Sequence, residues 1–326
     1  MKILLVRVSS LGDVLHNLPM VADLLRRHPG ATIDWVVEEG YVSLVRLNPN
    51  VRKIIPWSLR RWRKSLGKKE TRDEIRAFFS TLREDEYDVV FDTQGLLKTG
   101  IIMGAARIKK GGRKVGLANG SEGSGYEGIS RIFHTQSIPL DPRTHAVARG
   151  RLVAGAALDY PVDTAPDFGL PAPDASQRPA FLPAEDYAVF FHGTARAAKK
   201  WADANWIALA AALAPMPVLL PWGSPDERAD AEALAAGMPN ARVLPKLSMM
   251  DAVKVAQNAA LAVGVDTGLT HIAAAFVRPT IEIYADSPKW KTEGNWSDRI
   301  VNLGDLGAPP SSDEVIAAAR ELLARA

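Results

Sequence analysis

The chain opens with Ile3-Leu4-Leu5-Val6, an apolar run of strand length, and passes within a few residues into the amphipathic helical pattern of residues 14–25. A run without polar alternation reads as a strand buried on both faces. Buried strands alternating with helices demand a parallel sheet covered by helices, and few other folds accept them. The turn between the two elements, Ser9-Ser10-Leu11-Gly12-Asp13, falls at the carboxyl end of the first strand, where open α/β sheets bind ligands. At that position Asp13 reads either as the N-cap of the helix or as a carboxylate aimed into a site.

The same logic recurs along the chain. Residues 32–37, 53–56 and 87–92 read as strands, and Asp92-Thr93-Gln94-Gly95-Leu96-Leu97-Lys98 repeats the opening sequence of strand, small-residue turn and helix. A stretch rich in Pro, Ala and Asp over residues 158–184 reads as a domain junction, expected in a 326-residue chain too long for one core. Beyond it, residues 187–191, 217–220, 243–245 and 261–265 read as strands, with helices over 203–213 and 248–259. The last of these strands runs into Asp266-Thr267-Gly268-Leu269-Thr270-His271, a small-residue helix start whose free N–H groups suit a phosphate. Asp266 there reads as a helix cap or as a sugar contact. The pattern predicts an α/β protein of two Rossmann-like domains, residues 1–160 and 161–311, with a C-terminal helix 312–326 packing back on the first domain.

Charge is divided unevenly between the halves. Residues 1–150 hold 25 of the 40 Lys and Arg but only 16 of the 37 Asp and Glu. A basic half suggests an anionic partner: nucleic acid, a phospholipid surface or a phosphorylated substrate. Arg60-Arg61-Trp62-Arg63-Lys64 concentrates that charge, with Trp62 read as a packing residue. A second cluster, Lys109-Lys110-Gly111-Gly112-Arg113-Lys114, precedes the Gly- and Ser-rich residues 116–125, which read as a mobile loop. The chain has no cysteine, which excludes disulfides, thiolate nucleophiles and cysteine-ligated metals, and its six His have no metal-ligand spacing. Neither a Walker motif nor G-x-G-x-x-G occurs. No apolar run approaches a membrane span and no signal peptide opens the chain, so a cytoplasmic location is expected.

Two similar α/β halves facing a cleft, with a carboxylate at one turn and a diphosphate-type helix start at the other, describe a GT-B glycosyltransferase. The chain resembles the lipopolysaccharide heptosyltransferases of glycosyltransferase family 9 over nearly its whole length. The resemblance rests on residues 9–19, Trp35-Val36-Val37-Glu38-Glu39-Gly40, the Arg60 to Lys64 cluster, Gln94-Gly95-Leu96-Leu97-Lys98, His145-Ala146-Val147, Leu220-Pro221-Trp222-Gly223 and residues 265–271. It implies an inverting transfer of L-glycero-D-manno-heptose from ADP-L-glycero-β-D-manno-heptose to the first Kdo of Kdo2-lipid A, without metal or other cofactor. The implied general base is Asp13, with His16 one turn on as a rival. Implied donor contacts are Thr194, Lys199, Glu227, Leu247, Asp266, Thr267, Gly268 and His271; implied acceptor contacts are Arg60, Arg61, Arg63, Lys64 and Lys98. The basic half implies reversible, peripheral contact with the anionic cytoplasmic face of the inner membrane, with no nucleic-acid or protein partner.

The sequence departs from the family at a few positions. Ala195 stands where a second Thr is common, Leu247 where Met occurs, and Tyr126 in a segment where an arginine is expected. Lys200 beside Lys199 leaves the diphosphate lysine open by one position. Alternative readings are transfer to a later core position, or a non-catalytic protein of this fold that binds anions or nucleic acid.

Overall fold

The computed structural model describes residues 1–173, 178–194 and 196–325 and divides into two compact units, Met1–Gly169 and Leu170–Ala326. Ala195, one of the family departures, lies outside the described residues. The first unit holds β1 (Lys2–Val6), β2 (Thr32–Glu38), β3 (Val51–Trp57), β4 (Glu86–Asp92), β5 (Arg107–Leu117) and β6 (Gln136–Ile138) in one sheet of order 3-2-1-4-5-6. Every pairing is parallel. In the second unit β7 (Ala188–Phe191), β8 (Val218–Leu220), β9 (Ala241–Val243), β10 (Leu261–Val265), β11 (Thr280–Tyr284) and β12 (Ile300–Gly304) run 12-11-10-7-8-9, again all parallel. Counted from each unit's first strand, the two sheets have the same winding, the doubly wound Rossmann order. It reverses direction between β1 and β4 in one sheet and between β7 and β10 in the other, and those switch points are where such sheets open a crevice for ligands.

Burial explains the windings. Ile3, Leu4, Leu5 and Val6 are fully buried, as are Leu261, Ala262, Val263 and Val265, so both central strands need helices on both faces. Trp57, Trp62 and Phe78 close one side of the first core, Trp57 and Trp62 meeting edge-on at 5.0 Å. That is the packing role expected of Trp62.

Several expectations need correction. The helical pattern of residues 14–25 is two helices, Leu11–His16 and Leu18–Arg27, broken at Asn17, where Pro19 in the next first turn can donate no backbone hydrogen bond. The first unit extends past residue 160. Arg151 and Asp23 form a buried two-bond pair at 2.6 and 3.1 Å, Arg151 also donates to the Thr164 carbonyl at 2.8 Å, and Asn48 donates to the Phe168 carbonyl at 3.2 Å. The C-terminal helix, Ser312–Ala324, expected on the first domain, belongs to the second unit's sheet: Val315, Ala318, Ala319 and Leu322 join that core. Residues 116–125 are bound down, Asn119 bridging to both the N–H and the carbonyl of Leu140 at 3.0 and 2.8 Å. The Lys109 to Lys114 cluster lies within β5 on the side of its amino end, away from the switch-point loops, with Lys109 paired to Asp88 at 2.8 Å.

Candidate active site

At the first switch point β1 delivers Arg7 and Asp13, and β4 delivers Asp92, Gln94 and Lys98. Asp13 is not the N-cap. Ser10 holds that position, and Asp13, three residues on, turns one carboxylate oxygen back to accept from Ser10 N at 3.0 Å and Ser10 Oγ at 2.9 Å. Its other oxygen pairs with Arg7 Nη2 at 2.6 Å, while a third of the side chain remains open to solvent. Burial raises the Asp13 pKa, but the Arg7 guanidinium, the Ser10 hydrogen bonds and nearby His16 outweigh it and hold the carboxyl well below its usual range. Arg7 is itself buried and donates to the Thr93 carbonyl. Arg149, also buried, is pushed down to about 10 by burial and by Arg7, with Asp13 pulling the other way. His16 is buried behind the turn.

The β4 turn is built around Asp92, which is fully buried and accepts from Gln94 N, Gly95 N and Thr99 Oγ1 at 2.9, 3.0 and 2.8 Å. Gln94 then accepts from Val8 N at 3.0 Å, tying the two turns together. Gly95 has φ +71°, and a Cβ there would meet Tyr126 Cδ2 at 2.8 Å, so the position needs glycine on both counts. Tyr126 is the brace on this turn, its hydroxyl donating to the Ala118 carbonyl at 3.0 Å. Lys98 reaches Ser9 Oγ at 3.4 Å; burial lowers its pKa, the positive charges of Arg60 and Arg63 add to that, and Glu38 opposes it.

Of the Arg60 to Lys64 cluster, Arg60, Arg63 and Lys64 are exposed and enter none of the described ion pairs. Arg61 differs, bridging Glu39 at 3.1 Å and Glu74 at 2.7 Å. Trp62 Nε1 donates to the same Glu74 oxygen at 2.8 Å, so Arg61 anchors its short helix to the unit.

The second switch point has a different character. Asp266 precedes the helix Gly268–Ala275, whose N-cap is Thr267, so Asp266 is not a cap either. Its carboxylate accepts from His271 Nε2 at 3.0 Å, Thr292 Oγ1 at 3.1 Å and Ser287 Oγ at 2.6 Å, and pairs with Lys199. On the far side of His271, Nδ1 faces Glu282 Oε1 at 2.7 Å. Glu282 is fully buried on β11, its second oxygen accepting from Tyr284 Oη at 3.0 Å and Gly294 N at 2.8 Å. Burial works against the imidazolium, but the two flanking carboxylates prevail and raise the His271 pKa to about 10. The helix can start this close to β10 because residue 264 is glycine: a Cβ would meet Thr270 Oγ1 at 2.1 Å. Its first-turn N–H groups, at Gly268 and Leu269, have no partner within the helix, the arrangement that suits an anion.

Lys199 and Lys200 part company here, Lys199 joining Asp266 and Lys200 pairing with Asp230 at 2.5 Å. Glu227 caps its own helix, Oε2 accepting from Gly223 N at 2.7 Å, while its carboxyl carbon lies 3.0 Å from where a Cβ on Gly193 would stand. Thr194 follows that glycine, and Leu247 is half-buried just before the N-cap Ser248. The switch points thus gather Asp13 and Lys98 in one unit, and Lys199, Asp266, Thr267, Gly268 and His271 in the other. Nothing in the motifs pointed to Arg7, Arg149, Ser287 or Thr292; Glu282, a carboxylate inside an apolar strand, is the one whose setting carried a signal.

The family model described as glycosyltransferase family 9 (heptosyltransferase) matches residues 75–318. Over 307 residues the chain is 41% identical to lipopolysaccharide heptosyltransferase 1 of Pseudomonas aeruginosa, covering 93% of this chain and 84% of that one. It is 35% identical over 288 residues to the enzyme of the same name from Escherichia coli K12, covering 87% and 88%. The E. coli heptosyltransferase WaaC solved with ADP superposes with a TM-score of 0.84 at 32% identity, covering 99% of this chain and 100% of that one. On this similarity, together with two all-parallel sheets of Rossmann order, the chain belongs to glycosyltransferase family 9, the heptosyltransferases.

Proposed function

We propose that the chain transfers L-glycero-D-manno-heptose from ADP-heptose to the first Kdo of Kdo2-lipid A, with inversion at the anomeric carbon. The observation that carries this reading is the Asp13 carboxylate, held ionised by Arg7 and Ser10 at the switch point of a chain so similar to lipopolysaccharide heptosyltransferase 1. A Kdo hydroxyl oxygen attacks C1 of the heptose from the face opposite the diphosphate. The bond from C1 to the phosphate oxygen breaks, its electron pair leaves with ADP, and the hydroxyl proton passes to Asp13. So acidic a carboxyl is a weak base, and its contribution comes from position, on the order of 10²–10⁴-fold for a well-placed group.

Charge gathers on the departing ADP. Lys199 and the N–H groups of Gly268 and Leu269 are the groups suited to receive it, Lys199 exchanging Asp266 for a phosphate oxygen. Thr194, Thr267 and His271 complete the diphosphate and heptose side, with Glu227 on the ribose and Leu247 beside the adenine. Arg60, Arg63, Lys64 and Lys98 meet the carboxylates and phosphates of the acceptor. The same exposed cations support reversible contact with the anionic cytoplasmic face of the inner membrane. No described helix is long and apolar enough to cross a membrane.

The test is ADP release with ADP-heptose and either Kdo2-lipid A or its heptosylated product. Turnover of the first with an inverted anomeric centre in the product, undiminished by EDTA, is the expected result. Preference for the heptosylated acceptor would assign the chain to a later core position. Absence of turnover together with salt-sensitive RNA binding would make it a binding protein.

A further inference from the structure

Glu282 is a charge that packing alone gives the fold no reason to keep. It stands on β11 between Ile281 and Ile283, all three fully buried, and a buried ion pair is often no more stabilising than apolar side chains of similar size. Its two oxygens are divided in their partners. Oε2 accepts from Gly294 N at 2.8 Å and Tyr284 Oη at 3.0 Å, and Oε1 faces His271 Nδ1 at 2.7 Å. The opposite ring nitrogen, Nε2, faces Asp266 Oδ1 at 3.0 Å.

A neutral imidazole has one N–H and one lone pair, so with a carboxylate on each side one ring nitrogen would set its lone pair against an oxygen. A proton therefore lies between Glu282 and His271. Two donors on Oε2 favour the carboxylate form of Glu282, and Asp266 beyond the ring favours the imidazolium, so that proton belongs to His271. Burial opposes the charge on His271, and Glu282 is the strongest influence that reverses it. Lys199 and Ser287 sit on the other Asp266 oxygen. The helix Met249–Asn258 packs against that of His271 with Ala252, Val253, Val255, Ala256 and the neutral Gln257 buried, and β10 is apolar.

We propose that Glu282 is a positioning residue of the donor site: by keeping His271 an imidazolium against Asp266, it leaves Asp266 countered when Lys199 turns from that carboxylate to the diphosphate. This role rests on the donor assignment above and adds to it the group that sets the charge beside the phosphates. Without the imidazolium, departure of Lys199 strands the Asp266 charge next to an anionic ligand, and diphosphate binding weakens.

Glu282→Gln removes the charge and keeps the shape. The amide oxygen can take the two donors of Oε2 while the NH2 donates to Nδ1 of a neutral His271 whose Nε2–H stays on Asp266, so each hydrogen bond has a replacement and one proton is gone. In nitrogen NMR spectra at pH 8, the His271 ring, identified by its loss in His271→Asn, should show the imidazolium in the unaltered protein and the neutral ring in Glu282→Gln. Calorimetry should show about tenfold weaker ADP binding by Glu282→Gln, with adenosine, which has no phosphate, bound equally by both proteins; the ADP-heptose KM should rise by a similar factor at unchanged acceptor KM. A neutral His271 in the unaltered protein would overturn the proposal without recourse to the Gln variant. So would an imidazolium that persists in Glu282→Gln, an unchanged ADP affinity, or equal losses for ADP and adenosine, which would reduce Glu282 to a brace of the fold. Failure of the unaltered protein to bind ADP at all would instead overturn the donor assignment, and the role of Glu282 with it.

Discussion

Asp13 and Asp266 occupy corresponding places in two sheets of the same winding, yet their surroundings are opposed. Asp13 has one cation, one serine and a side open to solvent. Asp266 is surrounded by Lys199, His271, Ser287 and Thr292, and its oxygens are fully engaged. A carboxylate with room beside it can accept a proton from a substrate; one saturated with donors serves as a scaffold for the groups around it. Equivalent topology therefore does not confer equivalent chemistry, and the neighbouring donors decide.

The sharpest way to break this contrast is Asp13→Asn, expected to lower kcat by about 10²–10⁴-fold with ADP affinity unchanged by calorimetry. Retained turnover would remove Asp13 as the base. Asp266→Asn should act in the other sense: it strips charge from a largely buried network, costs about 2–3 kcal/mol of stability in denaturant unfolding, and weakens ADP-heptose binding by leaving His271, Ser287 and Thr292 without the carboxylate that positions them. A normal unfolding curve for this variant would deny the scaffold role. Replacing Arg60 and Arg63 together by Ala should raise the acceptor KM about tenfold at unchanged donor KM. Arg61→Ala, by contrast, should act through loosening of its helix on Glu39 and Glu74, visible as faster proteolysis there.

The smallest effect at neutral pH is expected from Arg7→Gln. The folded Asp13 pKa is depressed, so the carboxylate form persists until the pH falls through that low value. Without the guanidinium, burial is left unopposed by its strongest counterweight, and the acidic limb of kcat against pH should move up by about one to three units while the plateau at pH 7 holds. An unmoved limb would show that Arg7 does not set this ionisation.

The central strands were readable because Ile3 to Val6 and residues 261–265 are apolar without interruption. Strands β5, β11, β12 and the three-residue β6 were not. β5 contains Lys109, Lys110, Gly111 and Gly112 at a register shift, β11 hides a buried Glu282, and β12 is a half-buried edge. The motif positions of Asp13 and Asp266 were legible and both were left open as N-caps; that place falls to Ser10 and Thr267, with Asp13 completing the capping box of its helix. Ser10 and Thr267 are equally good N-cap residues, and only backbone geometry chooses among neighbours. Arg7 and Arg149 were invisible as site residues because a buried arginine is recognised by what surrounds it, and those neighbours come from distant segments.

The placement of the C-terminal helix on the second unit's own core has a thermodynamic consequence. Because Val315, Ala319 and Leu322 complete a core without borrowing from residues 1–169, each half carries its own melting cooperativity. Scanning calorimetry should resolve two transitions, and saturating ADP, which the proposed donor site would place in the second half, should raise the temperature of that transition while leaving the other where it was.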